Sequence, residues 1–287
     1  GRKQSMIDIR ELLKYAASQD ASDVHISVGA SPKIRVHGNL ITTNFPKMMP
    51  ADTLEMLLNL VNPEQRETFE REGGIDISVS IPDAGRFRVN AYKQRGSITL
   101  ALRIVDMEIP DPSTLSIPDK VMELCTRHRG LILVTGPSGS GKSTVMAAMI
   151  DRINSTRACN IITLEDPIEY LHSHKMSVVN QREIGLDVSS YELALKSALR
   201  EDPDVLQVSK IDSPANLSTT LMAAETGKLI FSTLYSTGAV ETIENLIDLY
   251  PEHKQAAARN RLASALRAVI SRQLLPDRSG SGRCAAY

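Results

Sequence analysis

Three stretches of this 287-residue sequence carry side chains whose types and spacing could do chemistry. GPSGSGKST, Gly136 to Thr144, follows the apolar run LILVT and precedes VMAAMIDRI, which completes G-x-x-x-x-G-K-S in a strand, loop and helix context. Gly136, Gly139 and Gly141, with Ser138 and Ser140 between them, let backbone N–H groups close around phosphate oxygens. The helix opening near Thr144 adds its dipole, Lys142 reaches terminal phosphates, and the Ser143 hydroxyl suits magnesium. TLEDPIEY, Thr163 to Tyr170, places Glu165, Asp166 and Glu169 at the end of the strand NIITL, where ligands of open α/β sheets sit. DPDVLQVSKIDS, Asp202 to Ser213, supplies a further buried strand. A nucleotide hydrolase needs such a strand to end in a group that manages magnesium and the attacking water. Here it runs into Ser209 and Lys210, and Gln207 interrupts its apolar side chains.

The expected cost of that lysine follows from general acid–base chemistry. Losing a positioned base slows the chemical step roughly 10²- to 10⁴-fold, about 3 to 5 kcal/mol of barrier. An ammonium offers donors and no acceptor, so it does not take a proton from water. Lys210 is expected either to attract a γ-phosphate or pair with Glu165, or to point into solvent. In each case the base at this station is missing, and Glu165 and Glu169 are the nearest carboxylates able to replace it. His172 and His174, two residues apart without an obvious third ligand, read as loop or strand-edge residues rather than a metal site.

These stations need a scaffold. The length exceeds one typical core and predicts two domains. Apolar residues at 42% suffice to fill both, while 33 basic and 34 acidic side chains nearly cancel. No global field then draws the chain to nucleic acid or an anionic membrane. Cys125, Cys159 and Cys284 have no metal-ligand spacing and suit a reduced, cytosolic setting. No apolar run reaches the length of a membrane span, and no secretory stretch opens the sequence.

The first 107 residues read as an α+β domain. Ile9, Leu12, Leu13 and Ala16 recur at helical spacing, as do Leu54, Leu57, Leu58 and Val61. IRVHGNLI predicts a hairpin turning at Gly38-Asn39. IDISVSI, RFRVNAY and SITLALRIV predict a meander turning at Pro-Asp-Ala-Gly and Gln-Arg-Gly. EIPDPSTLSIP, residues 108–118, with its three prolines, reads as the linker. Residues 119–287 then alternate buried strands and helices, the pattern of a parallel α/β sheet. Within that part Tyr191, Leu193, Leu195 and Leu199 read as helix packing, and Ser189 with Glu192 as a capping box. LLPDRSGSG reads as a turn near the end.

Together with ALKSALREDPDV, AAETGKLIFSTLYSTGAVETI, SDVHIS and GRFRVNAY, these motifs resemble the secretion ATPase superfamily, most closely its type IV pilus retraction ATPases. The resemblance runs from Ile7 to Tyr287. It implies a PAS-like N-terminal domain joined to a RecA-like P-loop core, and ATP with Mg²⁺ bound between domains. It also implies a homo-hexamer, or a ring mixed with an active homologue, on an inner-membrane pilus platform protein at the cytoplasmic face of the membrane, with no nucleic acid. TLEDPIE matches the family's Asp box, and Arg86, Arg88, Arg95 and Arg103 match strands whose arginines act on a neighbour's site. Alternation puts Arg86 and Arg88 on one strand face, opposite Phe87 and Val89. The family's catalytic Gly-Glu is replaced by Ser209-Lys210, and its His-box histidines by Lys228 and Tyr235. The family continues into a further strand and a helical region that the sequence, ending RSGSGRCAAY, does not carry. The resemblance therefore implies an ATP-binding ring subunit with impaired hydrolysis. The alternatives are an active retraction motor using Asp-box carboxylates and, disfavoured by the extended match, a P-loop nucleic-acid translocase.

Overall fold

The computed structural model describes residues 7–82, 84–105, 109–276 and 283–287. The expectations at Asp83 of the Pro-Asp-Ala-Gly turn, at the start of the proline-rich segment and in the DRSGSG turn lie outside these residues. The chain divides into two compact units, Gly1–Met107 and Glu108–Tyr287.

The first unit holds helices α1 (Ile9–Ser18), α2 (Pro50–Leu58) and α3 (Pro63–Glu72) and strands β1 (Ala21–Ile26), β2 (Lys33–Val36), β3 (Asn39–Thr42), β4 (Gly74–Ile81), β5 (Gly85–Gln94) and β6 (Ser97–Ile104). The strands form one antiparallel sheet in the order β3-β2-β1-β6-β5-β4. Strict alternation in β5 sends Phe87, Val89 and Ala91 into the core and leaves Arg88 and Asn90 outside. Asp8 caps α1, whose Ile9, Leu12, Leu13 and Ala16 are all buried. Burying each larger one of these contributes about 1.5 to 3 kcal/mol.

Two expectations shift here. In α2 the buried side chains are Thr53, Met56 and Leu57. Leu54 and Leu58 are exposed, and Val61 lies beyond the helix end. Met56 belongs to the inward stripe, and counting only leucines displaced that stripe by one residue. The first hairpin pairs Val36 with Asn39, so its two turn residues are His37 and Gly38, with φ of 48° and 83°. That is the positive-φ pair a two-residue hairpin requires. The turn sits one residue earlier than the Gly-Asn dipeptide suggested.

The second unit contains α4 (Asp119–Glu123), β7 (Gly130–Thr135), α5 (Lys142–Thr156), β8 (Asn160–Glu165), β9 (Val178–Glu183), α6 (Tyr191–Ala198), β10 (Val205–Val208), α7 (Pro214–Glu225), β11 (Leu229–Leu234), α8 (Ala239–Asp248), α9 (Glu252–Ala265), β12 (Leu266–Ser271) and the hairpin β13 (Gln273–Pro276) with β14 (Arg283–Ala286). Six parallel strands run in the order β12-β7-β11-β10-β8-β9. Both faces are covered, so β7 is buried at every position, as expected of an inner parallel strand. Leu131 and Leu133 pack on one side with Leu195, Leu217 and Leu262. Ile132 and Val134 pack on the other with Val145, Met149 and Ile153 of α5. The proline-rich segment contributes to this second core, because Ile117 is buried there and Ile109 and Leu115 pack beside it.

The N-cap of α6 is Ser190, whose hydroxyl accepts from Leu193 N at 3.3 Å. Ser189 is not the cap, and Glu192 instead binds Lys196 one turn on at 2.6 Å. Leu193 is exposed, and Ala194 and Ala198 join Tyr191 and Leu195 in the core. Among the described residues no helix is long and apolar enough to cross a membrane.

Candidate nucleotide site

Parallel topology brings the C-terminal ends of β7, β8, β10 and β11 to one edge, where a cavity of about 470 Å³ opens. The loop after β7 and the first turn of α5 bring Ser138, Gly139, Gly141, Lys142, Ser143 and Thr144. Glu165 ends β8 and Asp166 and Glu169 follow it, Gln207 is in β10 with Ser209 and Lys210 after it, and Thr233 is in β11 with Tyr235 just beyond. Gly136 and Ser140 are in the loop but off the cavity wall. The loop geometry needs glycine at Gly136, where φ is 151° and a Cβ would overlap the Arg272 carbonyl oxygen. Gly141 starts α5 in the left-handed region with φ 84°.

Lys142 is buried, and its ammonium donates to the Gly136 and Pro137 carbonyls at 2.8 Å each. It also lies 4.2 Å from the centre of the Tyr235 ring, so its donors fold back onto the loop. Burial pushes its pKa down, and the nearby Glu169 carboxylate opposes that. Ser143 donates to Glu169 at 2.9 Å. The loop hydroxyl expected to suit magnesium and a carboxylate of the TLEDPIEY stretch thus converge. Thr144 and Tyr170 are joined at 3.0 Å.

Glu165 is the last residue of β8 and only 7% exposed. It accepts from the Thr163 hydroxyl at 2.6 Å and from the Gln181 amide at 3.1 Å. Burial outweighs both bonds and raises its pKa to about 7, with the like charges of Glu169 and Glu183 adding to the rise. A carboxyl in the cavity wall that titrates near neutrality matches the requirement for a general base at physiological pH.

Lys210 is 57% exposed in its side chain and pairs with Asp212 at 3.2 Å. The expected pairing with Glu165 does not occur, because Asp212 beside the start of α7 is nearer along the chain and Glu165 is enclosed. The two His-box positions also separate. Tyr235 follows β11 and lines the cavity, whereas Lys228 precedes β11 at the opposite edge, its carbonyl accepting from Gly130 N at 3.0 Å.

Two residues read from sequence as mere packing or loop belong to the site. Tyr191 lines the cavity although it is also core, and burial, with the Asp166 charge next, drives its hydroxyl pKa upward. His172 lines it too, and burial pushes its pKa down to about 4, leaving it neutral near pH 7. His174 faces elsewhere, its Nδ1 accepting from Val179 N at 3.0 Å. The signal for Tyr191 was its position at the first turn of a helix entering the strand-end edge, where core and site coincide.

In the first unit, Arg88 and Arg103 line a separate depression with Asp23, His25, Asp76 and Asn90. Arg103 is already paired with Asp23 at 3.0 Å. Arg86 lies two residues from Arg88 on β5, while Arg95 sits in the β5–β6 turn with φ 49°, at the far end of β5. The four arginines are not one cluster.

Comparison with known proteins agrees with this geometry. The family model described as Type II/IV secretion system protein matches residues 2–284. The "Type IV pilus retractation ATPase PilT" of Pseudomonas aeruginosa is 40% identical over 98% of this chain and 81% of its own length. The "Twitching motility protein" of Neisseria gonorrhoeae is 38% identical over 97% of this chain and 75% of its own. A crystal structure of the pilus retraction motor PilT with bound ADP superposes with a TM-score of 0.90 at 46% identity, covering 98% of this chain and 82% of that one. The DotB ATPase of Legionella pneumophila gives 0.86 at 25%, covering 99% and 81%. Family match, identity along nearly the whole length and a shared RecA-like core agree: the chain belongs to the Type II/IV secretion system protein family and is PilT-like within it.

Proposed function

We propose that this chain is an ATP-binding, PilT-like ring subunit of type IV pilus or secretion machinery whose hydrolysis is impaired. The observation that carries the second half is Lys210: the strand end that should present a base to water presents an ammonium paired with Asp212. The binding half rests on the Walker A loop, Gly136 to Thr144. Its Ser143 hydroxyl, with the Asp166 and Glu169 carboxylates on the same cavity wall, makes an oxygen-only donor set that suits magnesium. Magnesium bound there would neutralise polyphosphate charge. Lys142 has to leave the Gly136 and Pro137 carbonyls and the Tyr235 ring to meet the phosphates. Ring assembly as a homo-hexamer or with an active homologue, docking on an inner-membrane pilus platform protein from the cytoplasmic side, and action of Arg86, Arg88, Arg95 or Arg103 on a neighbour's site are parts of the same proposal.

The test measures ATP binding and steady-state hydrolysis on one preparation. Saturable binding of a fluorescent ATP analogue, weakened by Lys142→Ala, is expected with little turnover. Absence of binding at millimolar nucleotide overturns the reading. Lys210→Glu with Ser209→Gly should raise turnover at least about tenfold, the lower part of the range for a general base. Adding Lys228→His and Tyr235→His tests whether all stations must act together. No turnover after all four, in a chain that still binds ATP, removes Lys210 as the cause.

A second reading, an active retraction motor, is favoured by one observation. Glu165 lines the cavity with a pKa near 7 and is the natural surrogate base. Brisk hydrolysis by the unmodified chain that Glu165→Gln abolishes would select it.

A further inference from the structure

One charged side chain beside the site is left unexplained by the nucleotide reading. Arg272 follows β12 directly and is 5% exposed. Its amide donates to Thr135 O at 2.8 Å, extending the β12–β7 pairing to the mouth of the Walker A loop. Its carbonyl oxygen occupies the space a side chain at Gly136 would need, and its guanidinium lies against Gly141, where an added Cβ would stand 3.2 Å from both Cζ and Nη2. On the other side its Cζ is 5.3 Å from the centre of the Tyr287 ring, and the Tyr287 hydroxyl reaches Leu115 O at 3.5 Å. Among the described residues, Nε and Nη1 are buried without an acceptor.

A buried guanidinium with orphaned donors is costly, because it loses hydration and is paired with no carboxylate among the described residues. An aromatic face returns only part of that loss. The anion that a loop of this glycine-rich pattern takes on its backbone N–H groups is a polyphosphate, and Arg272 backs the same loop without forming part of the cavity wall. We propose that Arg272 is a positioning residue of the phosphate site, a buried cation beneath the loop. It holds Gly136 and Gly141 in place, and its charge is compensated when the polyphosphate of a nucleoside di- or triphosphate binds, with Tyr287 covering it otherwise. This rests on the nucleotide reading and adds a preference for di- and triphosphates over monophosphates, set from behind the loop as well as by Lys142.

The consequence is a pair of effects with opposite signs. Replacing Arg272 by Met removes an uncompensated buried charge, so the nucleotide-free chain should melt at the same temperature or higher. The same change should weaken ATP, ADP and inorganic tripolyphosphate about tenfold, a charge acting over several ångströms in a partly screened interior. AMP binding should change less than twofold, and Arg272→Lys should keep polyphosphate affinity within about threefold of the unmodified chain. Calorimetric titration with these four ligands, beside thermal melts without nucleotide, reads all of it. Unchanged ATP and ADP affinity in Arg272→Met, or equal weakening of AMP and ADP with a lowered melting temperature, overturns the proposal. Should the Met variant not fold, Arg272→Gln takes the same test with the same deciding outcomes. An unmodified chain that binds no nucleotide overturns the nucleotide reading as well, whereas normal binding with an undiminished variant overturns this proposal alone.

Discussion

At the scale of single residues, Glu165 and Lys210 both line the cavity, and their surroundings differ. Lys210 and its partner Asp212 are both exposed, so that ion pair contributes little to stability. Glu165 is enclosed, and its raised pKa makes a prediction with a definite sign. The folded state holds the Glu165 proton up to about pH 7, whereas an unfolded chain releases it near the ordinary value of 4.5. Its contribution to stability is therefore complete below about pH 4.5 and is lost as pH rises toward and through 7. Glu165→Gln should flatten that part of the stability profile in thermal melts taken from pH 5 to 8. An identical pH dependence in both proteins would show that the carboxyl does not titrate there. If Glu165 is also the base, turnover rises across the same interval.

At the scale of elements, α6 shows how a short helix delivers a site residue. Ser190 caps it and Tyr191, the next residue, enters the cavity wall. Ser190→Ala should cost about 1 kcal/mol in urea unfolding, the usual worth of an N-cap hydroxyl. Ser189→Ala should cost less than about half of that, as surface changes away from caps do. Equal effects would return the cap to Ser189. Gly136 shows the reverse dependence, of a loop on a strand that enters the sheet much later. With φ at 151° and the Arg272 carbonyl in the way, Gly136→Ala should abolish ATP-analogue binding while far-UV circular dichroism stays that of a folded chain. Retained binding would mean that the loop tolerates a side chain there.

For the molecule as a whole, nearly balanced charge, 33 basic against 34 acidic side chains, leaves like subunits without strong mutual repulsion. Assembly is expected to depend on nucleotide, since a basic residue given in trans supplies much of the transition-state charge stabilisation in related phosphoryl-transfer sites. Light scattering with magnesium and ATP should reveal a higher oligomer. A strict monomer under all nucleotide conditions would count against the ring.

What the sequence by itself determined was whatever is written in consecutive residues. The glycine-rich phosphate-loop pattern, the buried strand before it, the carboxylates just beyond the end of β8, the alternation of β5 and the change from antiparallel to parallel patterning near residue 108 all depend on local spacing, which periodicity and turn chemistry read directly. The α2 stripe and the first hairpin slipped by one residue because a methionine packs as well as a leucine and because His37 accepts a positive φ. Tertiary structure alone decided which separate segments meet. Parallel strands gathered Tyr191, His172, Gln207 and Tyr235 at one edge, sent Lys228 to the other, enclosed Glu165 until its pKa rose, and set Arg272 beneath a loop that lies far before it in the chain. Burial and long-range juxtaposition are properties of the packed sheet, and no window of neighbouring residues contains them.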